Sequence, residues 1–262
     1  MHDALTMIPA QMDMIYTQAL QGIRRRDKSI AREIFLLLLC NPLGCYTSEV
    51  MDYAGRDDSA GRLSFHDLRE ICTSPLIQVC LHHSSVQGFL LRRKKGDVEL
   101  IRLFTFSERE AHEHVALTCL ERLSHGKTGP FLYYAAKKLI FHCIGACEES
   151  SADLTVSTVP QRLIDEFGSC DKAAYLRWRD SSDERAHEHP TPLHAALNHR
   201  CPELALSMLE SGAELFDSGS RHGTPLHITA KMHYTAVVHV LLDLGANKCR
   251  VRPFRDRNLC RM

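Results

Sequence analysis

Thr191-Pro192-Leu193-His194 recurs as Thr224-Pro225-Leu226-His227, an offset of 33 residues. Gly212-Ala213 recurs in the same phase as Gly245-Ala246, and the apolar positions Leu204, Met208 and Leu209 map onto Val237, Leu241 and Leu242. Several features sharing one phase mark an internal repeat, in which each unit buries its apolar face against the next. Thr191 and Thr224 are placed to cap a helix with the side-chain oxygen. Pro192 and Pro225 then occupy the first helical position, where a missing N–H costs nothing. The spacing predicts short helices over Pro192–Asn198 and Pro225–Lys231. Second helices are expected over Pro202–Ser211 and Thr235–Leu244, ended by Gly212 and Gly245, which are free to take positive φ.

A 33-residue period with this signature resembles the ankyrin repeat. The resemblance implies a protein-binding α-solenoid segment. It also implies that His194 and His227 tie the turns of neighbouring repeats together, against the alternatives of metal binding or catalysis. Partner binding would use the turn tips and the first-helix face, here Asn198, Arg221, His222, Lys231 and His233. The sequence departs from the family where Arg200 and His233 stand in place of the usual glycine, and Cys201 and Tyr234 in place of the following histidine. Strained inter-helix turns are therefore expected. Two repeats do not bury a core alone, since about three are normally needed. The preceding helices are the expected support.

At 262 residues the chain has room for two domains. Its 32 basic and 32 acidic residues cancel, so no overall charge draws it to nucleic acid or membrane. Eleven cysteines with no signal peptide and no Cys-x-x-Cys pair read as reduced thiols in an intracellular, cytoplasmic protein. The longest apolar run, Ile34–Cys40, is far too short to span a bilayer and reads as part of a buried helix.

In chain order, Pro9 opens a helix with apolar positions Met12, Ile15, Tyr16, Ala19, Leu20 and Ile23. Arg24-Arg25-Arg26, followed at once by Asp27, reads as a solvated helix end. Ser29 opens a second helix that becomes apolar nearly all round and should be central; Asn41-Pro42 stops it. Thr47 or Ser48 caps a third helix, Glu49–Ala54. Gly55–Arg62 reads as loop, His66–Cys72 as a short helix and Leu76–Leu81 as a strand, with Leu63–Phe65 the source of any second strand. Three helices and then a strand is the order of a winged helix. Further on, Pro160–Phe167 and Lys172–Trp178 read as helices, with Trp178 packed against the first repeat. Arg179–His189 is the hinge.

Several stretches in order resemble the region that follows the ATPase core in fungal NACHT-type, NLR-like proteins. They are Ile8-Pro9-Ala10-Gln11-Met12-Asp13-Met14-Ile15-Tyr16; Ala31–Cys40 with Pro42-Leu43; His83-Ser84-Ser85-Val86-Gln87-Gly88-Phe89-Leu90-Leu91; Ala111-His112, Ala116 and Cys119-Leu120-Glu121-Arg122-Leu123; and Pro130-Phe131-Leu132-Tyr133-Tyr134-Ala135-Ala136 with His142. Leu139 stands where that family usually has tryptophan, and Gly88 where it has an acidic residue. The resemblance covers about residues 8–247. It implies a regulatory half whose ATPase core would lie before residue 1, and packing on that missing NTPase module.

Chemistry at single motifs is not expected. Gly126-Lys127-Thr128 imitates the end of a phosphate loop, but Glu121 occupies the position of the required first glycine. His112-Glu113-His114 and His187-Glu188-His189 fail the zinc-protease pattern, because Ala116 and Thr191, the latter just after Pro190, occupy the fifth positions. Cys143 and Cys147 face one side of a helix but lack two further zinc ligands at a defensible spacing. No nucleophile is placed beside a base. Glu49, Asp52, Asp57 and Asp58 make the third helix too acidic to read DNA. The tail from Lys248 carries six basic residues against one acidic.

The sequence thus predicts a mostly α chain. A winged-helix-like region spans 8–95, a helical region 96–180, two ankyrin repeats 187–250 and a basic tail 251–262. The expected function is a non-enzymatic scaffold that binds another protein, with no catalytic residues, cofactor, metal, nucleic acid or membrane partner. The alternative is a regulatory fragment of a NACHT-type signalling NTPase.

Overall fold

The structure is a computed structural model. It describes residues 10–41, 47–54, 84–91, 103–147, 158–167, 172–181, 191–213, 215 and 223–246. Among these residues the regular structure is helical throughout, and no strand occurs. The expected strand at 76–81, the helix at 66–72, the loop at 55–62 and the basic tail lie outside the described residues; of the hinge expected over Arg179–His189, residues 179–181 instead continue the helix that begins at Ala173, and the rest lies outside the described residues. The chain divides into two compact units, 1–157 and 158–262. The second unit begins within the helical region expected over 96–180, so the last two helices of that region group with the repeats.

The first unit contains α1 (Ala10–Gln21), a 3₁₀ turn (Arg25–Asp27), α2 (Lys28–Leu39), α3 (Thr47–Ala54), α4 (Ser84–Leu90), α5 (Glu108–His125) and α6 (Pro130–Cys147). In α2 every residue from Ile34 to Leu39 is buried, as a helix apolar on all faces requires. Among the α1 side chains described, from Met14 on, Tyr16 and Leu20 are buried, while Ile15 faces out. The Tyr16 ring meets Phe89 of α4 at 5.2 Å.

Helices α5 and α6 form the long antiparallel hairpin of this unit. Ser107 and Glu110 make a reciprocal capping box at the start of α5: the Glu110 N–H donates to Ser107 Oγ at 3.0 Å, and the Ser107 N–H to Glu110 Oε2 at 2.6 Å. Gly126, the glycine of the phosphate-loop imitation, is the left-handed cap that ends α5. Arg109 Nε donates to the Ala146 carbonyl at 3.2 Å, tying the head of α5 to the tail of α6. α2 packs on α5, and α3 on α6.

The second unit contains α7 (Val159–Phe167), α8 (Ala173–Ser181), α9 (Pro192–Asn198), α10 (Pro202–Glu210), α11 (Pro225–Lys231) and α12 (Thr235–Asp243). The short helices α9 and α11 match the expected bounds, and α10 and α12 end one residue early. α7 packs on α8 and on both helices of the first pair. Val159 and Leu163 supply its buried side. Trp178 is buried beside Tyr175, with ring centroids 5.8 Å apart.

Candidate functional site

The two helix pairs of the second unit repeat in geometry as well as in sequence. Thr191 Oγ1 stands 2.6 Å from His194 Nδ1, and Thr224 Oγ1 stands 2.7 Å from His227 Nδ1. In each pair the threonine holds the histidine ring and the proline opens the helix. The expected side-chain cap forms in the first pair, where Thr191 Oγ1 accepts the His194 N–H at 3.3 Å, but not in the second, where the Thr224 side chain makes no cap bond. His194 is fully buried, and its Nε2 reaches the carbonyl of Gly223 at 3.1 Å, immediately before the second pair. That bond links one pair to the next. The equivalent His227 is exposed.

Backbone geometry at the inter-helix turns carries the expected strain. Among the described residues, Arg200 and His233 are the non-glycine residues with positive φ, at 63° and 60°. Such a left-handed residue brings its Cβ against the following carbonyl. Gly212 and Gly245, at φ 90° and 87°, take the same sense without that penalty.

Of the residues assigned to partner recognition, Lys231 ends α11 and is exposed, and His233 is exposed in the turn that follows. Asn198 ends α9 and is half-buried. Arg221 and His222 lie outside the described residues. Leu242 and Leu244 are exposed on and just beyond α12.

The first unit brings together groups whose sequence spacing gives no hint of it. His112 and His114, two apart in α5, diverge as their helical positions require. His114 Nε2 meets Glu33 Oε2 of α2 at 2.7 Å, and Tyr53 of α3 donates to the same oxygen at 3.2 Å. His112 turns inward to α6, where its Nδ1 faces Nδ1 of His142 at 3.1 Å. Tyr134 Oη holds the other nitrogen of His142, Nε2, at 2.8 Å. Cys40, at the end of α2, completes the group: one ligating atom each from Cys40, His112 and His142 lies within 4.8 Å of the others, and all three residues are buried. Burial drives the His112 pKa from 6.5 down to about 4. It drives that of His142 well below its ordinary value, with His112 and the Lys138 ammonium adding to the effect. Both rings are therefore neutral at physiological pH, the form in which imidazole binds metals.

Space for this group is made by Gly145 in α6. A Cβ there would sit 2.5 Å from the His112 ring. Cys143 of α6 is buried, and Cys147, one turn on, is half-buried.

In α3 the acidic residues that weighed against DNA reading are drawn into the fold. Glu49 is buried, and Asp52 is bound by Arg122 and by the backbone of Phe131. No helix among the described residues is long and apolar enough to cross a membrane. No family model, curated protein or solved structure matches the chain.

Proposed function

We propose that the chain is a non-enzymatic scaffold that binds another protein through an ankyrin-type segment formed by α9–α12. The observation that carries this reading is the repeated Thr-Pro-Leu-His unit. In both copies the threonine hydroxyl holds the histidine ring, and the first histidine reaches the head of the second copy. A histidine committed to such a tie is withdrawn from chemistry. Stacked helix pairs bind partners through shape and a few strong contacts on an extended face. Lys231 and His233 stand exposed at the end of α11 and in its turn, where the family's partners are met.

The test is affinity capture with wild-type protein and with Arg221→Ala, Lys231→Ala and His233→Ala combined. Recovery of at least one captured protein is expected to fall about tenfold or more, as loss of a hot-spot cluster implies, with the thermal unfolding curve unchanged. Capture that is insensitive to the triple variant overturns the surface assignment.

A second reading is favoured by the ordered motifs of α1–α6: regulation in cis of a NACHT-type NTPase encoded upstream. A glycine-rich phosphate loop in the same reading frame, before residue 1, would support it. Its absence from the gene would remove it.

A further inference from the structure

We infer that Cys40, His112 and His142 form a structural site for one monovalent soft transition-metal ion, copper(I), in three-coordinate geometry. Three helices supply one ligand each: Cys40 follows α2, His112 is in α5 and His142 is in α6.

The geometry is close to a ligand shell. With metal–nitrogen bonds of about 2.0 Å, two imidazole nitrogens on one ion stand about 3.3–3.5 Å apart. The Nδ1 atoms of His112 and His142 face each other at 3.1 Å, so the rings part by a few tenths of an ångström. The Cys40 thiol now donates to the Leu36 carbonyl at 3.0 Å. It leaves that carbonyl to close on the ion at a metal–sulfur distance of about 2.3 Å.

Outer contacts are already in place. Metal-bound histidines hold their second nitrogen in a hydrogen bond that fixes the tautomer. Tyr134 Oη meets Nε2 of His142 and so leaves Nδ1 as the ligating atom. Gly145 is the opening in α6 through which the His112 ring reaches that nitrogen.

Charge and ligand number select the ion. The site is buried. A thiolate with two neutral rings balances a monovalent ion, whereas a divalent ion leaves an uncompensated charge, costly in a dry interior. The ligand group found among the described residues has three members, so zinc would take a water as its fourth ligand. Thiolate and imidazole together suit copper(I). The step balances: the thiol proton is released, sulfur binds the ion, and the ring proton shared between the two Nδ1 atoms moves to Nε2 of its own ring. One proton leaves per ion bound, with no redox change.

The experiment uses the full reduced chain, stripped of metal and titrated anaerobically with copper(I) against bicinchoninate. One equivalent held against the competitor is expected, with one proton released and an upward shift in thermal unfolding. Cys40→Ser is isosteric and should abolish competitive retention. Tyr134→Phe should weaken it about tenfold, the usual effect of losing an outer hydrogen bond. X-ray absorption of the loaded chain should show one sulfur and two imidazole nitrogens around copper. Retention unchanged in Cys40→Ser, or a two-sulfur shell, would assign the copper to the other cysteines and overturn the site. So would failure of the wild type to compete, or zinc retained in preference to copper from an equimolar mixture.

Discussion

Asp52 Oδ2 accepts the backbone N–H of Phe131 at 2.9 Å, across 79 residues of sequence. The bond caps the first turn of α6 from a separate helix, satisfying one of the donors that a helix start leaves open. The same carboxylate meets Arg122 Nη1 at 3.2 Å, and Arg122 Nη2 donates to the Asp52 carbonyl at 2.8 Å. One side chain thus joins α3, α5 and α6. Gly129 belongs to this arrangement, because a Cβ there would collide with the Asp52 carboxylate.

Asp52→Ala removes the partner of a nearly buried guanidinium and an N-terminal cap together. The expected loss is about 2–3 kcal/mol, somewhat below a fully buried pair because Asp52 is partly exposed. Asp52→Asn keeps an acceptor for the Phe131 N–H and should lose about half as much. Urea unfolding checks both. A loss under about 0.5 kcal/mol for the alanine variant would place Asp52 among ordinary surface residues.

Arg200→Gly should stabilise the second unit. Relief of the left-handed backbone is worth about 1–2 kcal/mol, and the added flexibility of the unfolded glycine chain takes back about 0.5–1 kcal/mol. The net gain is about 0.5–1 kcal/mol, and His233→Gly should show the same sign. Thermal melts of the two variants decide it. A lower midpoint in both would mean that those side chains contribute more than their backbone costs.

Gly145→Ala sets helix propensity against packing. In an open helix the change would gain about 1 kcal/mol. Here the new methyl group meets the His112 ring at 2.5 Å, and forced repacking of a core costs about 1–3 kcal/mol. The collision should win, with a net loss of about 1–2 kcal/mol. A stabilised variant would show that His112 moves aside freely.

His194→Ala and His227→Ala should differ although the residues are equivalent in sequence. His194 is buried and bonded to Gly223, so its loss should cost about 2–3 kcal/mol through the cavity and the orphaned carbonyl. His227 is exposed, and its loss should cost about 0.5 kcal/mol. Equal effects would remove the inter-pair tie as the reason for burying His194.

The helices of the second unit were legible because local chemistry marks their ends. Pro192, Pro202 and Pro225 open helices, and Gly212 and Gly245 follow the ends of two. The apolar run from Ile34 identified a buried helix for a similar reason: no face was left for water. The Cys40–His112–His142 group was not legible. Spacing along one helix says which residues share a face, but not which face meets which across helices. Sequence therefore pairs His112 with His114, its neighbour two residues on, which turns instead to Glu33. Two signals pointed toward the group: a glycine inside α6 at Gly145, and a histidine among Leu139, Ile140 and Cys143. Both become informative only once α5 is known to lie alongside. Exposure of Lys231 and His233 followed from their places at a helix end and a turn, whereas the half-burial of Asn198 depends on neighbours that sequence does not specify.

The link from His194 to Gly223 has a direction. It leaves the first pair and lands ahead of the second, so the stack has a polarity like that of a row of interlocking tiles. An extra pair inserted between the two would inherit a histidine pointing forward and a carbonyl waiting behind. A gene encoding such units can lengthen or shorten its product by duplication or deletion in whole periods of 33 residues, without a new joint having to evolve.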